Sequence, residues 1–174
     1  NSYEFYWNST GVGFRDKMLN EYHRFWTTER TEKATKLKLS KTEIIALASI
    51  VQKETAKISE RPTVAGLYLN RIKIRIPLQE KYGQDYSVKR VLLKDLRIQS
   101  QYNTYINRGI PPSLIAMPDI SSIDAVLNAQ KHNYIYMCAS TEKIGFHAFA
   151  TTLRKHNSNA AKYHRWMNAQ GINR

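Results

Sequence analysis

A chain of 174 residues is long enough for one compact domain with a real core, and its 42% hydrophobic and 24% charged residues exclude a disordered polymer. Lys and Arg outnumber Asp and Glu 27 to 14, and the formal charge of +13 favours an anionic partner: nucleic acid, a phospholipid surface or a carboxylate-bearing polymer. No apolar run approaches the roughly 20 residues of a membrane span, and no signal peptide is visible. The lone Cys138 cannot form an intrachain disulfide and reads as a small core residue.

The chain opens on NSYEFYWNS, an aromatic segment that reads as the middle of something, so a fragment is expected. Phe14, Met18, Tyr22 and Phe25/Trp26 recur at helical spacing and predict a helix from Phe14 to Arg30. Ser40-Lys41-Thr42-Glu43 has the form of a capping box, so the next helix should begin near residue 41 and stop near Ser59. Arg61-Pro62 opens another, carried by Val64, Leu67, Tyr68, Arg71 and Ile72 and ended by Pro77. A short helix over 87–96, a Tyr/Asn-rich loop and the turn Gly109-Ile110-Pro111-Pro112 follow. Ser122 is expected to cap a helix over 123–130. Tyr134 to Cys138 and Gly145 to Phe149 read as strands, and Thr151 to Gln170 as the last helix. The result is an α+β fold, mainly helical with a small β-sheet, over a single domain spanning 1–174.

Within the helix that begins at 41, Ile44, Leu47, Ala48, Val51, Thr55 and Ile58 share one apolar face. Glu54 lies roughly 60° from the middle of that face. A carboxyl group among apolar neighbours loses hydration, which favours its protonated form and suits a general acid. A bland reading stands beside this one: Glu54 at the edge of the face, or paired with a basic side chain.

Motifs for familiar chemistries are missing: the sequence has no Gly-rich phosphate loop, no GxSxG and no Cys/His cluster with zinc spacing. His23, His132, His147, His156 and His164 are scattered, and only His147, set between aromatic residues, draws a functional reading beside the structural one. Asn70-Arg71, Leu78-Gln79 and Tyr102-Asn103-Thr104-Tyr105 supply amides, hydroxyls and flat rings, which suit a sugar but also close turns. A basic nucleic-acid-binding domain is the competing class, and the dispersed charge and lack of any binding motif weigh against it.

Taken together, ALASIVQKET (46–55), SERP (59–62), LNR (69–71), PLQ (77–79), YNTY (102–105), GIPP (109–112), YIYM (134–137), HAF (147–149) and HN (156–157) resemble, in order, the blocks of the endolytic murein transglycosylases, the MltG/YceG-like family. The resemblance implies a bacterial lytic transglycosylase, a lyase that cuts peptidoglycan glycan strands internally between N-acetylmuramic acid and N-acetylglucosamine and leaves 1,6-anhydro ends. It also implies no metal and no cofactor. One N-terminal helix would hold the protein in the inner membrane with the catalytic domain on the periplasmic side, and a LysM-like module would precede that domain; neither is in this chain. Implied partners are the glycan strands, an anionic membrane surface and the cell-wall synthesis machinery, with no specific nucleic acid. The family's catalytic glutamate matches Glu54. Gln79, Tyr102, Asn103, Thr104, Asn70 and His147 would contact the sugars, and Glu60 would bond the next helix's N-terminus. Two departures stand out. Gln52 replaces a Glu common in the family but falls on the opposite edge of the apolar face and reads as a tolerated neighbour, and Glu80-Lys81-Tyr82-Gly83-Gln84-Asp85 follows Gln79 where an Asp-Pro-Thr segment usually lines the site. A catalytically impaired scaffold that binds peptidoglycan is the alternative that the altered segment after Gln79 leaves open.

Overall fold

The computed structural model describes residues 3–79 and 97–171, so the helix expected over 87–96 and the segment after Gln79 lie outside the described residues. The chain divides into two compact units, Asn1–Leu39 and Ser40–Arg174. The first holds two helices where one was expected: α1 (Gly11–Phe25) and α2 (Thr28–Leu37). The break has a local cause. Thr27 adopts an extended backbone and its hydroxyl accepts the Arg30 amide, a helix-starting arrangement that competes with continuing the first helix. Trp26, at the break, is buried, with Tyr22 and Phe25 packed edge-on at centroid distances of 6.4 and 5.5 Å.

The second unit is built on α3 (Lys41–Glu54), and its capping box forms as expected. The Ser40 hydroxyl accepts the Glu43 amide, and the Glu43 carboxylate accepts the Ser40 amide at 2.8 Å. Ile44, Ala46, Leu47, Ala48, Ser49, Ile50 and Val51 are all buried, so the helix is enclosed on more than the one face its spacing suggests. Each fully buried Ile, Leu or Val contributes on the order of 1.5–3 kcal/mol. The helix α3 packs against α4 (Arg61–Lys73) and α5 (Ile120–Leu127), which also pack on each other. The end of α3 differs from expectation. Thr55 turns extended, Ile58 falls in a 3-10 turn (Ile58–Glu60), and its side chain is 63% exposed instead of extending the apolar face.

Asp119 caps α5, rather than Ser122. Its carboxylate accepts the Ser122 amide at 2.8 Å, while Ser122 is buried within the first turn. Gln52, read from sequence as a tolerated neighbour, ties α3 to this cap: its side-chain amide donates to Met117 O and its oxygen accepts from the Asp119 amide and the Ser122 hydroxyl. Burial pushes the Asp119 carboxyl up, but the buried Arg61 guanidinium at 2.8 Å and the bonds from Ser122 and Ser121 outweigh it and hold the group at about 2, below the usual 3.8. A carboxyl lowered on folding adds stability above its unfolded value and loses it as pH falls through its folded value. The thermal midpoint should therefore drop between about pH 4 and pH 2, and Asp119→Asn should flatten that part of the curve. Equal pH dependence of the two proteins in that window would contradict the assignment.

The sheet is a two-stranded antiparallel hairpin, β1 (Tyr136–Ala139) and β2 (His147–Ala150), with Met137 opposite Phe149 and Ala139 opposite His147. The final helix, α6 (Leu153–Ala169), packs on both strands. Tyr134 and Ile135 precede the first strand instead of belonging to it, because α4 engages their carbonyls: the Asn70 side-chain amide donates to Tyr134 O and His132 O, and Arg71 donates to Ile135 O. This segment crosses α4 so closely that a Cβ on Gly66 would lie 2.2 Å from Gln130 O. Cys138 is half-buried rather than a core residue, and partial burial pushes its thiol up.

Candidate active site

Glu54 is the last residue of α3, where the buried helix meets the turn that leads to α4. Its side chain keeps 26% of its surface exposed, and its Oε1 lies 3.7 Å from Nε2 of His147 on β2. The apolar setting expected from the helical pattern is therefore only partly realised, because an imidazole stands beside the carboxyl group.

His147 is held by a buried acid. Glu60 Oε1 accepts the His147 amide at 2.7 Å, and Oε2 lies 2.9 Å from His147 Nδ1 and accepts the Thr55 hydroxyl, also at 2.9 Å. A carboxylate can only accept, so Nδ1 carries the proton and Nε2 is the atom turned to Glu54. Three hydrogen bonds compensate the burial of the Glu60 side chain, only 5% of which is exposed. The expectation that Glu60 bonds the N-terminus of α4 gives way to this role, since no side-chain cap is made there. The Thr55–Glu60–His147 link ties the end of α3 to β2 and so sets the approach of the imidazole to Glu54.

Glu54 opens into a cavity of about 430 Å3, whose walls include Gln79, Tyr105, Tyr68, Tyr136 and His156. Gln79 is fixed in three ways. Its amide donates to Thr104 O at 3.1 Å, its side-chain oxygen accepts from Arg71 at 2.6 Å, and its φ is +60°. A left-handed backbone is unfavourable for a residue with a Cβ and persists where surrounding contacts hold it. Arg71 supplies those contacts: its guanidinium also donates to Pro77 O and Ile135 O, so one buried side chain joins α4, the Pro77–Gln79 segment and the chain entering β1. The carboxyl group of Glu54 can give a proton into this cavity and take one back, while rings and amides around it offer stacking and directional bonds.

Of the residues singled out from sequence, Glu54 and Gln79 share this cavity, while His147, 3.7 Å from Glu54, lines a separate cavity of about 580 Å3 together with Glu60. The others lie elsewhere. Asn70 clamps the segment before β1. Tyr102 bonds Ser113 through its hydroxyl at 2.7 Å. Asn103 holds its own loop, donating to Ile98 O and accepting the Tyr105 amide. Thr104 is 3% exposed and meets Gln79 through its carbonyl. The YNTY loop thus reaches the cavity through Tyr105, which with Arg71 counts among the sugar-suited side chains of the sequence but carries no expected contact, and Tyr136 and His156 have no expected role there at all. Their signal was weak: aromatic rings and a basic residue on otherwise apolar elements. Among the described residues, no group of three or more His, Cys, Asp or Glu could hold a metal ion.

The chain is similar over most of its length to proteins of one kind. It is 34% identical over 150 residues to the endolytic murein transglycosylase of Bacillus subtilis, covering 84% of this chain and 41% of that protein. It is 30% identical over 157 residues to the endolytic murein transglycosylase of Streptococcus pneumoniae, covering 85% of this chain and 27% of that one. The chain thus spans less than half the length of these relatives. A crystal structure of a YceG-like protein from Listeria monocytogenes superposes with a TM-score of 0.72 at 26% identity, over 90% of this chain and 51% of the other. The description of the YceG-like family matches residues 1–162, and the chain belongs to that family.

Proposed function

We propose that the chain is the catalytic part of an endolytic lytic transglycosylase, a lyase that cleaves the bond between N-acetylmuramic acid and N-acetylglucosamine within peptidoglycan glycan strands and closes a 1,6-anhydro ring on the muramic residue. The observation that carries this reading is Glu54, at the end of a buried helix, opening into a cavity walled by Tyr68, Tyr105, Tyr136 and Gln79. The similarity to endolytic murein transglycosylases supports it.

Protonated Glu54 gives its proton to the glycosidic oxygen as the bond to the muramic C1 breaks and an oxocarbenium-like centre develops. The 6-hydroxyl of the same sugar attacks C1, its proton returns to the site, and no water is consumed. An ordinary glycosidase needs a second carboxylate as nucleophile or as base for water. Here the nucleophile belongs to the substrate and has a high effective molarity. The half-buried rings of Tyr105 and Tyr136 stack on the sugars while Tyr68, 1% exposed, backs the wall, and Gln79 and His147 offer hydrogen bonds to the sugars. On this reading the reaction takes place outside the cytoplasm, at the inner membrane. The +13 charge supports attraction to anionic headgroups and to the carboxylates of peptidoglycan. Among the described residues, no helix is long and apolar enough to cross a membrane.

Mass spectrometry of digested glycan strands tests the reaction. Internal fragments ending in 1,6-anhydro-muramic residues are expected. Reducing muramic ends, or disaccharides released one by one from a strand end, would mean a different reaction.

A further inference from the structure

We propose that His147 is a second proton-handling residue of this site, aimed by Glu60, whose Nε2 takes the proton of the muramic 6-hydroxyl as that oxygen attacks. The inference rests on the lyase reading above and divides between two residues the work that Glu54 alone would otherwise perform.

Three observations carry it. Glu60 holds both the backbone and Nδ1 of His147, at 2.7 and 2.9 Å, so the ring has one orientation and its proton sits on Nδ1. Nε2 is thereby left as a lone-pair acceptor in the neutral ring, and among the described residues the polar atom it faces is Glu54 Oε1. Their separation of 3.7 Å is too long for a direct hydrogen bond, yet a hydroxyl lying beside both atoms can bond to each. An acid that serves only to anchor a structural histidine has no reason to aim its free nitrogen at the carboxyl group that performs the chemistry.

The charged groups around the ring come from four elements. Glu54 belongs to α3 and Glu60 to the 3-10 turn. Glu142 and Lys143 of the β1–β2 connection, with Lys155 and Lys162 of α6, line the cavity of about 580 Å3 that adjoins the ring on the Glu60 side. Two carboxylates stand nearest, so an imidazolium formed during the reaction is flanked by negative charge.

The proton balance closes. The C1–O4 bond breaks and O4 takes the proton of Glu54. The bond from C1 to O6 forms, and O6 gives its proton to Nε2. The imidazolium then returns that proton to Glu54 Oε1 through a bridging hydroxyl or water, which restores both residues. No oxidant, reductant or net water is required.

The experiment uses this chain on purified glycan strands, with His147→Gln, His147→Ala and Glu60→Gln, each checked for folding by thermal unfolding. A general base contributes roughly a hundredfold or more, so His147→Gln should slow cleavage by about that factor. It should also lose the acidic limb of the wild-type pH–rate profile and yield reducing ends beside the anhydro ends, because water competes once the 6-hydroxyl has lost its base. Added imidazole should restore part of the rate of His147→Ala. Glu60→Gln keeps the side-chain volume but sets an N–H donor against either Nδ1–H or the His147 amide, so it disturbs the tautomer and should shift the same limb. If the unaltered chain gives anhydro ends and a folded His147→Gln variant keeps the wild-type pH profile and product ratio, His147 has no such role while the lyase reading stands. Reducing ends alone from the unaltered chain overturn the lyase reading itself.

Discussion

Glu54→Gln should abolish all but about one per cent of glycan cleavage while leaving the fold intact, since general acid–base catalysis contributes on the order of 10²–10⁴ in rate. The substitution keeps the volume of the side chain and removes only the transferable proton. Its structural cost should be small because, among the described residues, Glu54 makes no short hydrogen bond: His147 Nε2 stands 3.7 Å away, and a quarter of the side chain is exposed. Loss of rate with an unchanged thermal midpoint therefore separates chemistry from stability. A folded Glu54→Gln variant that cleaves strands at near wild-type rate would remove Glu54 from the mechanism, and with it the argument from the cavity.

Glu54 stands out in the sequence as a candidate because the signals that mark it are local. A capping box starts the helix within four residues, and an acid near an apolar face is visible from 3.6-residue spacing alone. The end of the same helix is not legible in this way. Thr55 leaves the helix in a conformation where its hydroxyl meets Glu60, and Glu60 in turn meets His147, 87 residues further along the chain. No short window contains that link, so Ile58 looks like one more apolar residue and Glu60 like a helix-terminal acid. The loop residues fail for a related reason. Tyr102, Asn103 and Tyr105 have similar chemistry on paper, and only the loop's own bonds, Asn103 to Ile98 O and to the Tyr105 amide, decide which of them turns inward. Arg71 could have been found. It falls on the apolar stripe of α4 with Val64, Leu67 and Tyr68, and a buried guanidinium must have partners.

Those partners make Arg71 the residue whose loss should weaken the fold and the site together. Arg71→Ala leaves Pro77 O, Ile135 O and the Gln79 side chain without the donors they have now. Each polar group left unpaired in a buried position costs about 1–3 kcal/mol, and since water can enter the space and the losses share one cause, about 3 kcal/mol in total is expected. For a chain of this size that corresponds to roughly 6–12 °C in the thermal midpoint. Gln79, held at φ +60° by contacts that include Arg71, should then relax, and glycan binding should weaken even where the variant remains folded. Arg71→Lys should recover little, because an ammonium cannot bridge three acceptors in the plane of a guanidinium. Thermal unfolding and the KM for glycan strands test both parts. An Arg71→Lys variant equal to wild type in each would mean that charge alone is required at this position, and that the forked geometry linking α4, Gln79 and β1 plays no part in shaping the site.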